Sequence, residues 1–233
     1  MFSKDGPSFR ELMQQALSST QGGYDMLAPK FDATPFRTPD DVVAATLRDL
    51  GEVDAAIDLC CGTGAGLIAL KQMTTKRLVG VDFSQGMLDV AKERVGASRA
   101  TLELWKKDIF EIDETGTFGL VTCFGAFGHV VEEAESRFVG LVRKLLRPGG
   151  RFVFVTARAP HPLSRRSIVG RAFNATMRVR NALFDPPFIM YYLTFMLPRA
   201  ERLLRWHGFD VRLDEGAYPA PWGELVRVVA TRP

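Results

Sequence analysis

The sequence predicts a single doubly wound α/β domain with a mostly parallel, seven-stranded sheet. A chain of 233 residues is long enough to bury one sizeable α/β core. Apolar strand-like segments alternate with helix-length segments along most of the chain, which is the pattern of βαβ units and of a parallel sheet. Too few residues separate the last two strand-like segments for a parallel crossover, so we expect that pair to be antiparallel.

The predicted elements follow in order along the chain. Apolar residues at helical spacing predict an amphipathic helix over 8–19, and the glycines and prolines of 19–37 predict a break after it. A second helix is predicted to begin with Thr38 as N-cap and Pro39 at its first position, and to end at Gly51. The predicted strands are 55–60, 77–82, 101–108, 118–125, 151–157, 209–216 and 224–232. The predicted helices between them are 64–73, 84–95 with Ser84 as N-cap, 132–146 and 199–207.

The overall composition is that of an ordinary globular protein, with 46% hydrophobic and 24% charged residues. The N-terminal sequence shows no apolar signal segment, and the apolar run 188–197 is about half of what a bilayer span needs. The chain has three cysteines, two of them adjacent, which cannot form a disulfide framework. We therefore expect a reducing, cytoplasmic location.

The charges are unevenly distributed along the chain. No Asp or Glu lies between Ser136 and Phe184, whereas eleven Lys and Arg residues do, which indicates either an anionic partner or a solvated basic face. A helical wheel over 167–184 divides an apolar half from a mostly polar half. The apolar half holds Ile168, Val169, Ala172, Phe173, Met177, Val179, Leu183 and Phe184. Such a helix is either a lid whose apolar face packs on the core or an element that contacts an anionic membrane surface.

Two adjacent cysteines lead into a glycine-rich turn at 62–66, with the spacing G-x-G-x-G. Adjacent cysteines lack the spacing of a metal clip or a redox pair, so we expect no metal site and interpret them as packing residues. The glycine spacing also differs from that of dinucleotide-binding loops. Asp58, four residues before the first glycine, would repel a pyrophosphate, and Asp82 ends the second strand, where an acid can accept from ribose hydroxyls. A ligand with cationic groups in place of phosphates suits this pattern.

Taken together, these segments resemble the class I S-adenosylmethionine-dependent methyltransferases, a family with a Rossmann-like fold. The matching segments, in the family's order, are 57–64, 81–88, 106–112, 118–130, 145–154 and 203–211. The resemblance implies one methyltransferase domain, 1–233, that uses S-adenosyl-L-methionine. Its implied parts are a helical cap (1–52), a cofactor-binding core (53–157), a basic and aromatic lid insertion (158–198), and a C-terminal helix with a strand pair (199–233).

The resemblance also implies which residues bind the cofactor. They are Asp58, Cys61, Gly62 and Gly64 at the methionine part, Asp82 at the ribose, Phe83, Met87, Asp108 and Ile109 at the adenine, and Cys123 and Phe124 beside the methyl group. Tyr24 matches an N-terminal segment that folds over the cofactor in this family, and it could line the methyl-transfer site. His129, just past the fourth strand, is the best-placed general base, although a packing role is as good an explanation.

The expected acceptor is a small molecule, either hydrophobic or amphiphilic and anionic, with peripheral contact to an anionic membrane as one possibility. The segment 185–188, D-P-P-F, resembles a motif of DNA amino-methyltransferases, but it lies well past the fourth strand, so we interpret its prolines as the end of an insertion. Two alternatives stay open: a nucleic-acid-modifying enzyme that uses the basic stretch, and a non-catalytic protein that binds S-adenosylmethionine.

Overall fold

The computed structural model describes residues 6–233, which form one seven-stranded sheet with helices on both faces. The strands are β1 (Val53–Leu59), β2 (Thr74–Asp82), β3 (Thr101–Lys106), β4 (Phe118–Thr122), β5 (Leu146–Ala157), β6 (Asp210–Glu215) and β7 (Leu225–Thr231). The α-helices are α1 (Phe9–Leu17), α2 (Thr20–Leu27), α3 (Asp40–Leu47), α4 (Ala65–Leu70), α5 (Gln85–Val95), α6 (Glu135–Leu145), α7 (Arg165–Leu183) and α8 (Arg199–Trp206). The first five residues of the predicted N-terminal cap lie outside the described range.

The strand order is β3-β2-β1-β4-β5-β7-β6, with β1 to β5 parallel and β7 antiparallel to both of its neighbours. The predicted fold class is therefore confirmed, including the antiparallel C-terminal pair. Helices α3, α4 and α5 pack on one face of the sheet, and α6 and α8 pack on the other. The strand order reverses between β1 and β4, so a crevice opens at the carboxyl ends of β1, β2 and β4.

The segment between α1 and α3 departs from the prediction of a break. It forms α2 and a 3₁₀ turn at Ala28–Ala33, and the Ser19 hydroxyl caps α2 by accepting a hydrogen bond from the Gly22 amide at 2.9 Å. The two glycines do not break the helix. Gly23 lies where the helix packs closely against other side chains. A Cβ at Gly23 would lie 2.9 Å from both Gln15 and Phe188. Close packing therefore requires glycine inside this helix.

Helix ends are predicted with uneven success. Ser84 caps α5 as predicted, accepting from the Met87 amide at 3.1 Å. The prediction for α3 is wrong by one residue at its start and by several at its end. The N-cap is Pro39 instead of Thr38, without a side-chain cap, and the helix ends at Leu47 instead of Gly51.

Helix α7 occupies the predicted position, but its buried side is not the apolar half of the helical wheel. Met177 is buried, whereas most of the other apolar residues of that half point outward. The buried side is completed by Ser167 and Gly170, which are small or polar. Of the two alternatives for this helix, a lid packed on the core through its apolar face therefore does not hold for most of that face. No helix within 6–233 is long and apolar enough to span a membrane.

Candidate active site

A cavity of about 1090 Å³ opens at the carboxyl ends of β1, β2 and β4. It is roofed by residues from α2 to α3 and by the segment that follows α7. The predicted site residues that line it are Tyr24, Asp58, Cys61, Gly62, Asp82, Phe83, Met87, Phe124 and His129. These residues come from distant parts of the sequence, and the sheet topology brings them together.

Four other predicted site residues lie outside the cavity lining. Gly64 precedes α4 with a left-handed backbone (φ +87°), and Cys123 is buried in the core. Asp108 is exposed and accepts from the Phe110 amide at 2.8 Å, which caps a short 3₁₀ turn that begins at Ile109. Their roles toward a cofactor stay predictions.

Asp58 is the most deeply buried acid of the site, with 1% of its surface exposed. Its Oδ1 accepts from the Thr122 hydroxyl at 2.7 Å, and no Lys, Arg or His within the described residues pairs with it. Burial raises the pKa of Asp58 to about 7. A Cβ at Gly66 would lie 2.3 Å from its other oxygen, so this glycine leaves room for the carboxylate. The carboxylate is thus prepared for a cationic group supplied by a ligand.

Asp82, at the end of β2, organises the turn around it. Its Oδ2 accepts from the Gly62 amide at 3.0 Å, and its Oδ1 accepts from the Ser84 amide at 2.9 Å. Burial raises the pKa of Asp82 to about 6, although these backbone bonds act in the opposite direction. Each carboxylate oxygen keeps a second lone pair, which can accept from a ligand hydroxyl.

Two acids that sequence reasoning missed hold the roof on the cavity. The Asp25 carboxylate accepts from the Ser84 hydroxyl at 2.6 Å and from the Gly86 amide at 3.0 Å. Asp32 accepts from the Thr63 hydroxyl at 2.6 Å and pairs with Arg94 at 2.5 Å. The partners of both acids lie 31 to 62 residues further along the chain, so no local pattern signals these contacts.

Tyr24 and His129 form a hydrogen-bonded pair at the cavity wall. The Tyr24 Oη and His129 Nε2 atoms are 2.9 Å apart, and His129 Nδ1 lies 2.5 Å from the carbonyl oxygen of Ile189. A carbonyl only accepts, so Nδ1 carries the proton, and Nε2 therefore accepts from the tyrosine hydroxyl. Burial lowers the pKa of His129 and raises that of Tyr24, which keeps both side chains uncharged near neutral pH.

Among the described residues, the other side chains of the site offer no nucleophile and no metal ligands. Burial raises the pKa of the Cys61 thiol, and contact with Cys123 together with burial raises that of Cys60, so neither is a ready nucleophile. Residues 6–233 contain no group of three His, Cys, Asp or Glu side chains that could hold a metal. The cavity therefore offers two buried acids, an uncharged tyrosine–histidine pair and aromatic walls.

Comparison with known proteins agrees with this site. A family model for a methyltransferase domain matches residues 56–150. A demethylmenaquinone methyltransferase from Staphylococcus aureus is 30% identical over 170 residues, covering 68% of this chain and 68% of the relative. The chain belongs to the S-adenosylmethionine-dependent methyltransferases. The matched region contains both acids at the strand ends and the glycine turn between them.

Solved structures share the fold at low sequence identity. A structure described as a DhpI–SAM–HEP complex superposes with a TM-score of 0.66 at 18% identity, covering 97% of this chain and all of that one. A phosphoethanolamine N-methyltransferase of Haemonchus contortus gives 0.59 at 18% identity, covering 83% of this chain and 52% of that one.

The cavity residues of this methyltransferase fit its cofactor, S-adenosylmethionine. Asp58 supplies a buried carboxylate with no cationic partner of its own among the described residues, and the cofactor brings an ammonium group. Asp82 can accept from hydroxyls while it holds the Gly62 amide in place. Gly66 provides the space beside Asp58. Within 6–233, these three features occur together at this crevice.

Proposed function

We propose that this enzyme methylates a hydrophobic or amphiphilic small molecule whose reacting group loses a proton, with Tyr24 and His129 as the proton relay. The observation that carries the proposal is the Tyr24–His129 hydrogen bond of 2.9 Å inside a cavity with largely apolar walls. His129 is a candidate base from the sequence alone, and the pair gives it an oriented partner. Both residues line the same cavity as Asp58 and Asp82.

The size and walls of the cavity support a bulky apolar acceptor. A volume of about 1090 Å³ lies at the upper end of typical small-molecule sites, which leaves room for an acceptor beside a cofactor. Aromatic and aliphatic side chains from the roof and from the segment after α7 form much of its wall, namely Phe31, Phe36, Met190, Tyr191, Tyr192 and Leu193. The Staphylococcus aureus relative is named for demethylmenaquinone, a small hydrophobic molecule, which supports the same class of acceptor.

An anionic end of the acceptor would meet Arg165. This residue lines the cavity at the start of α7, and no ion pair or hydrogen bond of its side chain occurs within residues 6–233. Its neighbour Arg166 also lines the cavity, but it pairs with Glu224 at 2.5 Å. Arg165 therefore supports the amphiphilic form of the proposal.

The proton would leave the acceptor through the relay. The Tyr24 hydroxyl donates to His129 Nε2, so its oxygen is open to accept a hydrogen bond from an acceptor X–H. X would take the methyl carbon of the bound cofactor, and the bonding pair would stay on the sulfur, which leaves as a neutral thioether. The X–H proton would then pass to Tyr24 Oη, and the tyrosine proton would pass to Nε2. His129 then carries the positive charge, and the Ile189 carbonyl stabilises it through Nδ1. No charge is left on Tyr24.

The bound cofactor supplies an electrophilic methyl group on a sulfonium. The main task of the protein is to hold the nucleophile in line with that carbon, an effect that reaches about 7–11 kcal/mol in favourable cases. Tyr24 is itself held by its neighbours: its ring is stacked on Phe188 at 6.3 Å and meets Phe83 edge-on at 6.4 Å. A tyrosine packed in this way positions an acceptor with little freedom.

The basic stretch 137–180 does not favour a nucleic-acid substrate, because its charges are largely used within the fold. Arg151 donates to the Leu50 carbonyl at 2.6 Å, and Arg180 donates to four backbone carbonyls. Others are paired with acids, including Arg166 with Glu224. These internal contacts argue against a continuous electrostatic footprint for nucleic acid along this stretch.

The test is transfer of a tritiated methyl group from S-adenosylmethionine into a lipid extract and into demethylmenaquinone. We expect His129→Gln to lower kcat by about 10²–10⁴-fold and Tyr24→Phe to lower it as well, with cofactor affinity nearly unchanged. His207→Gln is the matched control, since His207 pairs with Ser136 away from the cavity. Unchanged kcat in His129→Gln would overturn the relay, and label only in RNA or protein would overturn the acceptor class.

A further inference from the structure

We infer that the outward face of α7 docks this enzyme on an anionic lipid bilayer. That face consists of apolar side chains that recur at helical spacing and are more than half exposed: Ile168 at 57%, Val179 at 59% and Leu183 at 71%. Leu163, just before the helix, is 79% exposed. An apolar stripe of this length on a surface helix marks an interaction site.

The exposure of this face does not result from a loosely held helix. On the opposite side, the Asn174 side chain donates to the Tyr192 carbonyl and accepts from the Tyr192 amide, both at 2.8 Å. Asn181 makes the same pair of bonds with Phe188, at 3.1 and 2.9 Å. The helix is thus anchored through its amide side chains, which leaves its apolar side to face outward.

Helix α1 carries an exposed apolar stripe of its own, and its C-terminal end is hydrogen-bonded to α7. Arg180 of α7 donates to the carbonyls of Ala16 and Ser18 at the end of α1, at 3.0 and 3.1 Å. On α1, Phe9 is 78% and Leu17 is 57% exposed, and both lie on one face of the helix.

The charges along α7 select an anionic bilayer as the occupant. Arg171 and Arg178 are exposed along one edge of the outward face, and Arg171 has no side-chain partner within residues 6–233. Arginines beside an apolar face let a helix lie in the headgroup region of anionic lipids. A second copy that packed antiparallel through this face would place the two arginine rows on the same side, which disfavours that dimer.

The docking face is continuous with the cavity. Val169 is 58% exposed and also lines the cavity wall, as does Arg165 one turn earlier. A lipid-like acceptor could therefore pass from the bilayer along α7 to Tyr24. Only this last consequence rests on the proposed function, whereas the docking surface stands without it.

Co-sedimentation of the full chain with vesicles tests the surface. The probes are phosphatidylcholine vesicles with and without phosphatidylglycerol, at low and high salt. We expect the wild type to partition onto the anionic vesicles at low salt. Each basic residue near an anionic surface raises the partition coefficient onto the vesicles by about fivefold. Arg171→Glu with Arg178→Glu should therefore lower that coefficient by about 25-fold or more. Ile168→Asp with Val179→Asp should also abolish binding, including at low salt.

The control is Lys92→Glu with Arg202→Glu, which makes the same charge change on exposed positions of α5 and α8. It should bind vesicles nearly as well as the wild type. Thermal stabilisation by S-adenosylmethionine shows that each variant is folded, and no acceptor is needed. The inference would be overturned by a wild type that stays in the supernatant, or by a control pair that loses as much vesicle binding as the arginine pair. It would also be overturned by a dimer that Val179→Asp dissociates, without any vesicle binding.

Discussion

Replacement of Asp58 by asparagine separates the stability of the fold from its affinity for the cofactor. The carboxyl is buried, accepts one hydrogen bond from Thr122, and has a pKa of about 7 against an ordinary value of 3.8. Between those two values the folded protein keeps a proton that the unfolded chain has released. The stability of the cofactor-free protein should therefore fall as the pH rises through this window, and should be flat below it.

The size of this effect follows from the two pKa values. Their difference corresponds to about 4 kcal/mol of unfolding free energy between pH 4 and pH 8. The amide of the Asp58→Asn variant carries no charge, so its own contribution should not change with pH. That amide adds buried donors without an evident partner, at a constant cost of about 1–3 kcal/mol. The cost of the buried charge is therefore measured by how differently the unfolding free energies of the two proteins change with pH, and not by their stabilities at one pH.

Urea unfolding of wild type and Asp58→Asn at several pH values is the assay. We expect the wild type to lose about 3–4 kcal/mol more than the variant between pH 4.5 and pH 8. S-adenosylmethionine should bind the variant about 10²–10³-fold more weakly, since its ammonium loses the buried partner. At pH 6 the wild type should release protons on binding, and the variant should release fewer. Parallel pH slopes for the two proteins would refute the reasoning about Asp58.

Two further substitutions have matched controls in the chain. Gly66→Ala should weaken cofactor binding and cost about 1–3 kcal/mol of stability, because its Cβ would overlap the Asp58 carboxylate, and the better helix propensity of alanine does not offset this. Gly223→Ala, at an open position, should change neither cofactor binding nor stability. Thermal shifts with and without the cofactor measure both effects. Glu135→Gln should cost about 2–3 kcal/mol in urea unfolding, since this 1% exposed acid pairs with an arginine and accepts a backbone amide of the segment after α7. Glu132→Gln removes the exposed partner of the same arginine and should cost under about 1 kcal/mol; equal losses would contradict the role of burial.

The parts of this fold that the sequence predicts are those set by local pattern. Alternating apolar strands and helices predict the sheet, and a hydroxyl just before a helix predicts the Ser84 cap. The positions of Asp58 and Asp82 at the ends of neighbouring strands place them at one crevice, because parallel strands share their carboxyl edge. Each of these inferences needs only residues within one βα unit or the order of the strands.

The parts that the sequence does not predict depend on distant partners. Helix α2 contains two glycines, yet it is held by Asp25, whose partners Ser84 and Gly86 lie about 60 residues further on. Of the two alternatives that the sequence left open for α7, the lid packed through its apolar face does not hold for most of that face, for a similar reason. A helical wheel ranks side chains by hydrophobicity, whereas Asn174 and Asn181 face inward because they satisfy the backbone of the segment 188–192.

Burial raises the pKa of Asp58 and lowers that of His129, and both shifts favour the uncharged form of the side chain. It raises the pKa of the acid to about 7 and lowers that of the base, so near neutral pH about half of the Asp58 carboxyls are ionised in the cofactor-free cavity, whereas His129 is uncharged. A cationic cofactor converts only the acid to its charged form, since His129 already donates to a carbonyl and accepts from Tyr24. The cavity thus gains a compensated ion pair at Asp58 and keeps a neutral base at His129. An apolar acceptor can enter such a cavity without desolvating an unpaired charge at Asp58, which favours cofactor binding before acceptor binding.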